Sequence, residues 1–218
     1  MKFRSVMVAI LIIFAISCVS IYAAVEYVGE DTETLGNWPD KYGKNGVVVF
    51  QPSEDREDLK DIVEVIDNGQ RWDWANPTQE ERGLIYPDDP KKRLGSCMYN
   101  NPVGIVTLET KLKSYQVAIH AIDWDSAVRV EDLVGYQGAK APQDPDVTVQ
   151  NPDFHNGVYY IWNVTGNEPF TLQITHKGGA NWVISGLFVD ATGASVDANG
   201  KLATTWGSIK EEYLGDLC

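Results

Sequence analysis

Apolar and polar residues alternate strictly over residues 170–177. One set of alternate positions holds Phe170, Leu172, Ile174 and His176, and the other holds Thr171, Gln173, Thr175 and Lys177. Successive side chains of a β-strand point to opposite faces of the sheet. This period of two therefore predicts a strand with one face in the core and the other in solvent.

A second apolar run, residues 158–164, precedes this strand, and Gly166 and Asn167 lie between the two. Glycine and asparagine tolerate the positive φ angles of tight turns, so the two runs are predicted to form a β-hairpin. The turn at Gly178 and Gly179 is followed by a mostly apolar stretch, residues 182–190. An apolar run of this kind predicts a strand at the centre of a sheet.

Turn-forming clusters divide the remaining sequence into short apolar segments. Strands are predicted at residues 47–50, 97–99, 105–112, 115–124, 128–134 and 147–149. Residues 53–66 fit either an amphipathic helix or a loop followed by a strand, and the strand is favoured because its neighbours are β. Residues 202–214 predict a short terminal helix. The pattern predicts an all-β, antiparallel β-sandwich or jelly roll with at most short helices.

The N-terminus has the layout of an export signal. Basic Lys2 and Arg4 precede an apolar run that ends in small residues near Ala23. This layout predicts a signal peptide over residues 1–23, followed by a single domain over residues 24–218. The apolar run is also long enough for a membrane anchor, which stays the alternative. The protein is therefore predicted to be secreted or extracytoplasmic.

The chain is acidic, with a formal net charge of −13. Such a surface repels phosphate backbones and anionic lipids, so nucleic acid is not a predicted partner. Membrane contact is predicted only through the N-terminal segment. The charge is compatible with neutral ligands, cationic ligands or metal ions, and it is also what keeps many exported proteins soluble.

Two cysteines remain after removal of the leader, Cys97 and Cys218. An even pair in an oxidising compartment predicts a disulfide between them. The alternative is a buried thiol at Cys97 and an unpaired Cys218 near the chain end.

Five segments carry a family resemblance in a fixed order. They are residues 34–43, 74–84, 121–126, 154–166 and 178–188. Together they resemble a little-characterised module of bacterial exported proteins, similar in layout to galactose-binding-like β-sandwiches of the carbohydrate-binding type. The resemblance implies a mostly non-catalytic recognition domain. Because an analogy between folds does not establish an activity, function has to be argued from a site.

Aromatic side chains are the first candidates for such a site. Flat rings can stack on the apolar face of a sugar while nearby polar groups bind its hydroxyls. The candidate ligand-binding residues are Trp72, Trp74, Trp38 and Tyr42. Trp72 and Trp74 would share one face of an extended segment, whereas Trp38 and Tyr42, in a Gly-rich loop, would line the rim of the site. The alternative role for each of them is core packing.

Asp123 and Asp125 are the second candidates. Placed on one face of a strand, two carboxylates can act as a glycosidase pair. Carboxylate oxygens are also Ca²⁺ ligands, so Ca²⁺ is the one metal ion considered, although no cofactor is predicted. The third interpretation is a structural ion pair with Arg129, and this one is favoured. No catalytic residue is therefore assigned, and the protein is predicted not to be an enzyme.

These observations predict an exported, non-catalytic recognition module that binds a polysaccharide or other glycan through a shallow site bordered by aromatic residues. The alternative is a structural or adhesion module that packs against cell-surface proteins. A glycoside-acting enzyme is the more remote alternative.

Overall fold

A six-stranded β-sheet lies at the centre of the molecule. A computed structural model describes residues 24–138, 140–150, 152 and 154–192. Strands are numbered here in chain order, β1 to β15. In spatial order the sheet contains β1 (Ala24–Asp31), β12 (Val158–Thr165), β9 (Ser114–Ala121), β15 (Gly186–Ala191), β2 (Gly46–Val49) and β3 (Arg56–Asp58). Every pair of neighbouring strands in it is antiparallel.

A five-stranded antiparallel sheet packs against one face of the central sheet. It contains β11 (Val147–Gln150), β10 (Val130–Gln137), β13 (Phe170–Gly178), β8 (Val103–Thr110) and β4 (Ile62–Asp67). One apolar cluster joins the facing sides of the two sheets, with Ile119 and Trp162 on one side and Leu133 and Leu172 on the other. The predicted all-β class and the β-sandwich-like packing of antiparallel sheets are therefore confirmed.

A four-stranded sheet completes the fold and carries the candidate site. Its strands are β14 (Trp182–Ile184), β7 (Arg93–Asn100), β5 (Gln70–Thr78) and β6 (Leu84–Ile85), the last two pairing with β7. A 3₁₀ turn, Trp38–Asp40, lies in the loop after β1. Among the described residues, no helix has the length and hydrophobicity needed to cross a bilayer.

The predicted hairpin of residues 158–176 is wrong, although both of its strands exist. β12 pairs with β1 and β9, whereas β13 pairs with β10 and β8. The turn at Gly166, where φ is +141°, carries the chain from one packed sheet to the other. Both strands have bulky apolar residues to bury, and opposite walls of one core accommodate them better than adjacent positions in a two-stranded ribbon.

Other predictions hold in part. Phe170, Leu172 and Ile174 are fully buried, as the alternation predicts. Residues 53–66 contain β3 and β4 and no helix. The predicted central strand over residues 182–190 is divided at Ser185 into β14 and β15, which lie in different sheets. The predicted leader, the terminal helix near Ser208 and the extent of the domain to residue 218 fall outside the described residues and stay predictions.

Candidate functional site

An open pocket of about 330 Å³ lies on one face of the four-stranded sheet. Trp72 and Trp74, which alternation along the chain places on one face, both line it. The side chain of Trp72 is 55% exposed, although a large aromatic residue is usually buried. The remaining lining residues are Cys97, Tyr99, Asp125, Arg129, Ala180, Asn181 and Val183.

The register of the sheet explains why these residues meet. Trp72 on β5 lies opposite Cys97 on β7, and Tyr99 on β7 lies opposite Val183 on β14. Directly opposed residues on antiparallel strands project to the same face. Three neighbouring strands therefore contribute side chains to one surface. A register shift in β5 between Asp73 and Ala75 falls at Trp74, beside this surface.

Two flat groups lie near the Trp74 ring. Its ring lies nearly parallel to that of Trp124, with an angle of 8° between the planes and 6.3 Å between the centroids. The Arg82 guanidinium covers Trp124 at 4.1 Å, and that of Arg129 lies 5.8 Å from the Trp74 ring. Gly95 makes room for this arrangement, because a Cβ there would come within 2.7 Å of the Trp124 ring. The cation–π contacts and stacking fix the orientation of Trp74.

Arg129 organises the polar side of the pocket. Its Nη1 donates to Asp123 and, at 2.6 Å, to Oδ1 of Asp125. Its Nε donates to Oδ1 of Asn181 at 3.0 Å. Arg129 itself is buried, and a guanidinium with several charge-assisted hydrogen bonds is rigidly held. The positions of Asp125 and Asn181 therefore follow from that of Arg129.

Asp123 anchors this network from within the protein. Its carboxylate is buried and also accepts from the Ser126 hydroxyl at 2.7 and 2.8 Å and from the backbone N–H of Arg129 at 3.2 Å. Burial alone would raise the pKa of Asp123, but the hydrogen bonds from Ser126 and Arg129 outweigh it and lower the pKa below its ordinary value. Asp123 is thus a buried anion that neutralises Arg129.

The geometry favours the structural interpretation of the two aspartates. They lie in the loop after β9, not on a strand as expected, because β9 ends at Ala121. Asp123 is buried, Asp125 is half-exposed, and both bind the same nitrogen of Arg129. A glycosidase needs two carboxylates that both reach the substrate, and this pair offers one.

No group of three or more His, Cys, Asp or Glu side chains is placed to hold a metal ion within the described part of the chain. Asp146, another acidic residue, accepts from the Trp162 indole at 2.9 Å and from the Gly135 backbone N–H at 3.0 Å. Those contacts give Asp146 a structural role between two sheets.

Trp38 and Tyr42 do not border the pocket, so their predicted position at the rim of a site is wrong. Both are buried against the outer face of the six-stranded sheet, where Tyr42 stacks on Tyr159 and Trp38 packs on Phe188. The Trp38 indole donates to the Ile85 carbonyl at 2.8 Å. This sheet is apolar on both faces, so its outer face needs a cover, and the loop that carries Trp38 and Tyr42 provides it.

Cys97 lies at the base of the pocket and is buried. Burial raises the pKa of its thiol well above the ordinary range, which disfavours the reactive thiolate form. Cys218, its predicted disulfide partner, falls outside the described residues. The bridge between Cys97 and Cys218 stays a prediction.

Glu131 lies behind the pocket and is completely buried. Its Oε2 accepts from the backbone N–H of Val183 at 2.7 Å, which ties it to a strand of the pocket floor. Burial raises the pKa of Glu131 to about 8, and the Val183 hydrogen bond and the Arg129 charge only partly oppose this effect. Glu131 is therefore largely protonated in mildly acidic solution.

Four residues of the site were missed by reasoning from sequence. Trp124 and Arg82 support Trp74, and Tyr99 and Asn181 line the pocket. Tyr99 lies on a predicted strand and could have been placed beside Trp72 if β5 had been recognised as a neighbour, because Cys97 on the same strand lies opposite Trp72. Arg82 and Asn181 belong to loops, and no periodic pattern indicates where a loop side chain points.

No protein-family model, curated protein or solved structure matches this chain in comparisons of sequence and structure. The function is therefore argued from the pocket.

Proposed function

We propose that this protein is an exported, non-catalytic recognition module that binds glycans through the pocket bordered by Trp72 and Trp74. The observation that carries the proposal is the half-exposed Trp72 indole on the wall of a pocket that also contains hydrogen-bonding side chains. Stacking on a flat aromatic surface, with hydrogen bonds at the edge of the sugar, is the chemistry this combination suits.

The size and composition of the pocket support a small, flat ligand. A volume of about 330 Å³ lies near the lower end of the range for small-molecule sites, which fits one or two sugar residues of a longer chain. Trp72, Trp74 and Tyr99 supply flat apolar surface, and Asp125 and Asn181 supply polar groups. The pocket is open at its mouth, so a polymer can continue on either side of the bound residues.

The rigidity of the site also supports binding. Trp74 is fixed by Trp124 and Arg82, and the polar side chains are fixed by Arg129. A site whose side chains are already ordered loses less conformational entropy when the ligand arrives. A sugar gains little energy from each contact, so its affinity depends strongly on how much conformational entropy the site loses on binding.

Export and fold complete the proposal. The predicted signal segment over residues 1–23 would bring the protein to an extracytoplasmic location where polysaccharides occur. A jelly roll of galactose-binding-like type is the finer fold that we propose, supported by the packing of a six-stranded against a five-stranded antiparallel sheet. Cell-surface glycans are the proposed partners, with no cofactor required.

Affinity gel electrophoresis and a glycan array would test the proposal with the wild-type protein and Trp72→Ala. We expect retention of the wild type by at least one polysaccharide. Trp72→Ala should bind at least about tenfold more weakly, because central aromatic contacts carry much of the energy of an interface. No retention of the wild type, or equal retention of both proteins, would contradict the proposal.

Ile66→Ala is the matched control for this experiment. Ile66 is 57% exposed on β4, an edge strand of the five-stranded sheet, and does not line the pocket. Its replacement removes a similarly exposed apolar side chain, so glycan binding should not change. Repeating the series with EDTA tests for Ca²⁺, and an assay for new reducing ends tests for glycoside cleavage.

A protein-packing role remains the second candidate because Val63 and Ile66 are both exposed on the edge strand β4. Unpaired edges and exposed apolar residues are where another chain can add. Under this hypothesis Ile66→Ala, and not Trp72→Ala, would reduce binding to a partner protein. The two variants therefore separate the two candidate functions.

A further inference from the structure

The hydrogen bonds of Arg129 determine which polar atoms of Asp125 and Asn181 are left for a ligand. Because Nε of Arg129 donates to Oδ1 of Asn181, the amide nitrogen Nδ2 is directed away from the guanidinium. Nη1 of Arg129 donates to Oδ1 of Asp125, whose side chain is half-exposed. The second carboxylate oxygen, Oδ2, is not used in this contact. Both residues line the pocket. The contacts with Arg129 thus leave one donor, Nδ2 of Asn181, and one acceptor, Oδ2 of Asp125, on two residues that line the pocket.

We propose that this pair selects a neutral sugar residue with two neighbouring hydroxyl groups and discriminates against uronic and sulfated sugars. One hydroxyl would donate to Oδ2 of Asp125 while the next accepts from Nδ2 of Asn181. This inference rests on the proposed glycan-binding function and names the class of sugar. A hydroxyl can both donate and accept, so a diol satisfies the two groups together, whereas an anionic group cannot donate to Asp125.

The charges around the pocket support the exclusion of anionic sugars. Asp125 and Arg129 are the charged residues among those that line it. The single positive charge of Arg129 is shared between Asp123 and Asp125, so this group of three has one net negative charge. A carboxylate or sulfate on the ligand would therefore meet like charge, which is costly where water is excluded. The net charge of −13 for the whole chain acts in the same direction.

Pairs of polysaccharides that differ in one group provide the test. Soluble polyuronates would be compared with the same polymers after chemical reduction of their carboxyl groups to alcohols. We expect the wild type to bind the carboxyl-reduced polymer at least about tenfold more tightly than the parent polyuronate, because like-charge contact opposes the second. Equal or tighter binding of the parent polyuronate would overturn the inference.

Two nearly isosteric variants test the individual roles. Asn181→Asp keeps the acceptor for Arg129 and replaces the outward amide with an oxygen, so binding of the neutral polymer should fall about tenfold. Asp125→Asn should also weaken binding of the neutral polymer. Because it removes a negative charge, it should reduce the ratio of the affinities for the neutral and anionic polymers. Unchanged neutral binding in both variants would contradict the assignment. Thermal melting of each variant checks that the fold is intact.

Trp72→Ala distinguishes failure of this inference from failure of the proposed function. If both members of a polymer pair bind the wild type equally and Trp72→Ala abolishes both, the pocket binds glycans and the proposed selectivity is wrong. If neither member of any pair binds the wild type and no polysaccharide of the glycan array retains it, glycan binding and the inferred sugar class fail together.

Discussion

Two groups of aromatic residues have opposite environments in this protein. The closed aromatic group (Trp38, Tyr42, Tyr159 and Phe188) is buried on the outer face of the six-stranded sheet. The open aromatic group (Trp72, Trp74 and Tyr99) lines a pocket on the four-stranded sheet. The difference shows that a tryptophan or tyrosine in a polar stretch can either cover an apolar face of a sheet or stay exposed on a pocket wall.

The polar atoms of the two groups show the same contrast. In the closed group, the Tyr42 hydroxyl donates to Asp31 at 2.8 Å and the Tyr159 hydroxyl donates to the Leu35 carbonyl at 2.6 Å. Buried polar atoms of aromatic residues usually have such partners inside the protein. In the open group, the Tyr99 hydroxyl also has a partner, Oε1 of Gln70 at 3.1 Å, but this hydrogen bond lies at the exposed surface. The polar atoms of the closed group are therefore satisfied inside the protein, whereas the hydrogen bond of the open group is at the surface.

Replacement of Trp38 by alanine should have the largest effect on stability. Trp38 packs on Phe188 with 5.2 Å between ring centroids and is buried, so its loss leaves a cavity. We expect the free energy of unfolding to fall by about 3–5 kcal/mol. Trp72→Ala should change it by less than about 1 kcal/mol, because the side chain is half-exposed. Urea unfolding of the two variants measures the difference.

The comparison would break if Trp72→Ala were as destabilising as Trp38→Ala. That result would place Trp72 in the core in solution and remove the central support for a binding site. Glycan binding by folded Trp38→Ala provides the reverse check, since it should match the wild type at a temperature where the variant stays folded.

Glu131 should give the next largest effect, and it depends on pH. Its pKa is about 8 in the folded protein, against an ordinary value of 4.5. Between these values the folded state keeps a proton that the unfolded chain releases, so the free energy of unfolding falls as the pH rises, by up to about 1.4 kcal/mol per pH unit. Glu131→Gln should flatten this slope. Urea unfolding between about pH 5 and about pH 8.5 measures it.

Asp31, in contact with the closed aromatic group, is the matched control with the opposite sign. Burial alone would raise its pKa, but hydrogen bonds from Lys41, Thr34, Tyr42 and the Glu33 backbone N–H lower it well below the ordinary value. Its contribution to stability is present above the ordinary pKa of an aspartate and is lost as the pH falls further. Asp31→Asn should therefore flatten the acidic limb and leave the alkaline limb unchanged. An equal alkaline slope in wild type and Glu131→Gln would contradict the assignment to Glu131.

The sequence predicts local features of this protein better than it predicts their partners. Alternation over residues 170–177 correctly identifies β13 and its buried face, and alternation at Trp72 and Trp74 correctly places them together. The pairing of β12 with β1 could not be predicted in this way, because register depends on contacts between residues far apart in the chain. The same reason explains why the predicted position of Trp38 at the rim of the site is wrong. Whether a loop covers a sheet depends on a strand that lies elsewhere in the sequence.

Replacement of Arg82 should have the smallest effect of these changes. It tests whether a cation next to the open aromatic group matters for glycan affinity when a cation next to the closed aromatic group does not. Its guanidinium lies over Trp124, which stacks on Trp74, so Arg82→Lys keeps the charge and removes the flat contact. This partly buried cation–π contact contributes about 1 kcal/mol, and glycan binding should weaken by about two- to fivefold. Arg56→Lys is the control, because Arg56 covers Tyr86, which packs with the closed aromatic group, at 4.0 Å. Titration calorimetry with a polysaccharide that binds the wild type should show a lower affinity for the Arg82→Lys protein and an unchanged affinity for the Arg56→Lys protein. Equal affinities would show that Trp74 keeps its orientation without this support.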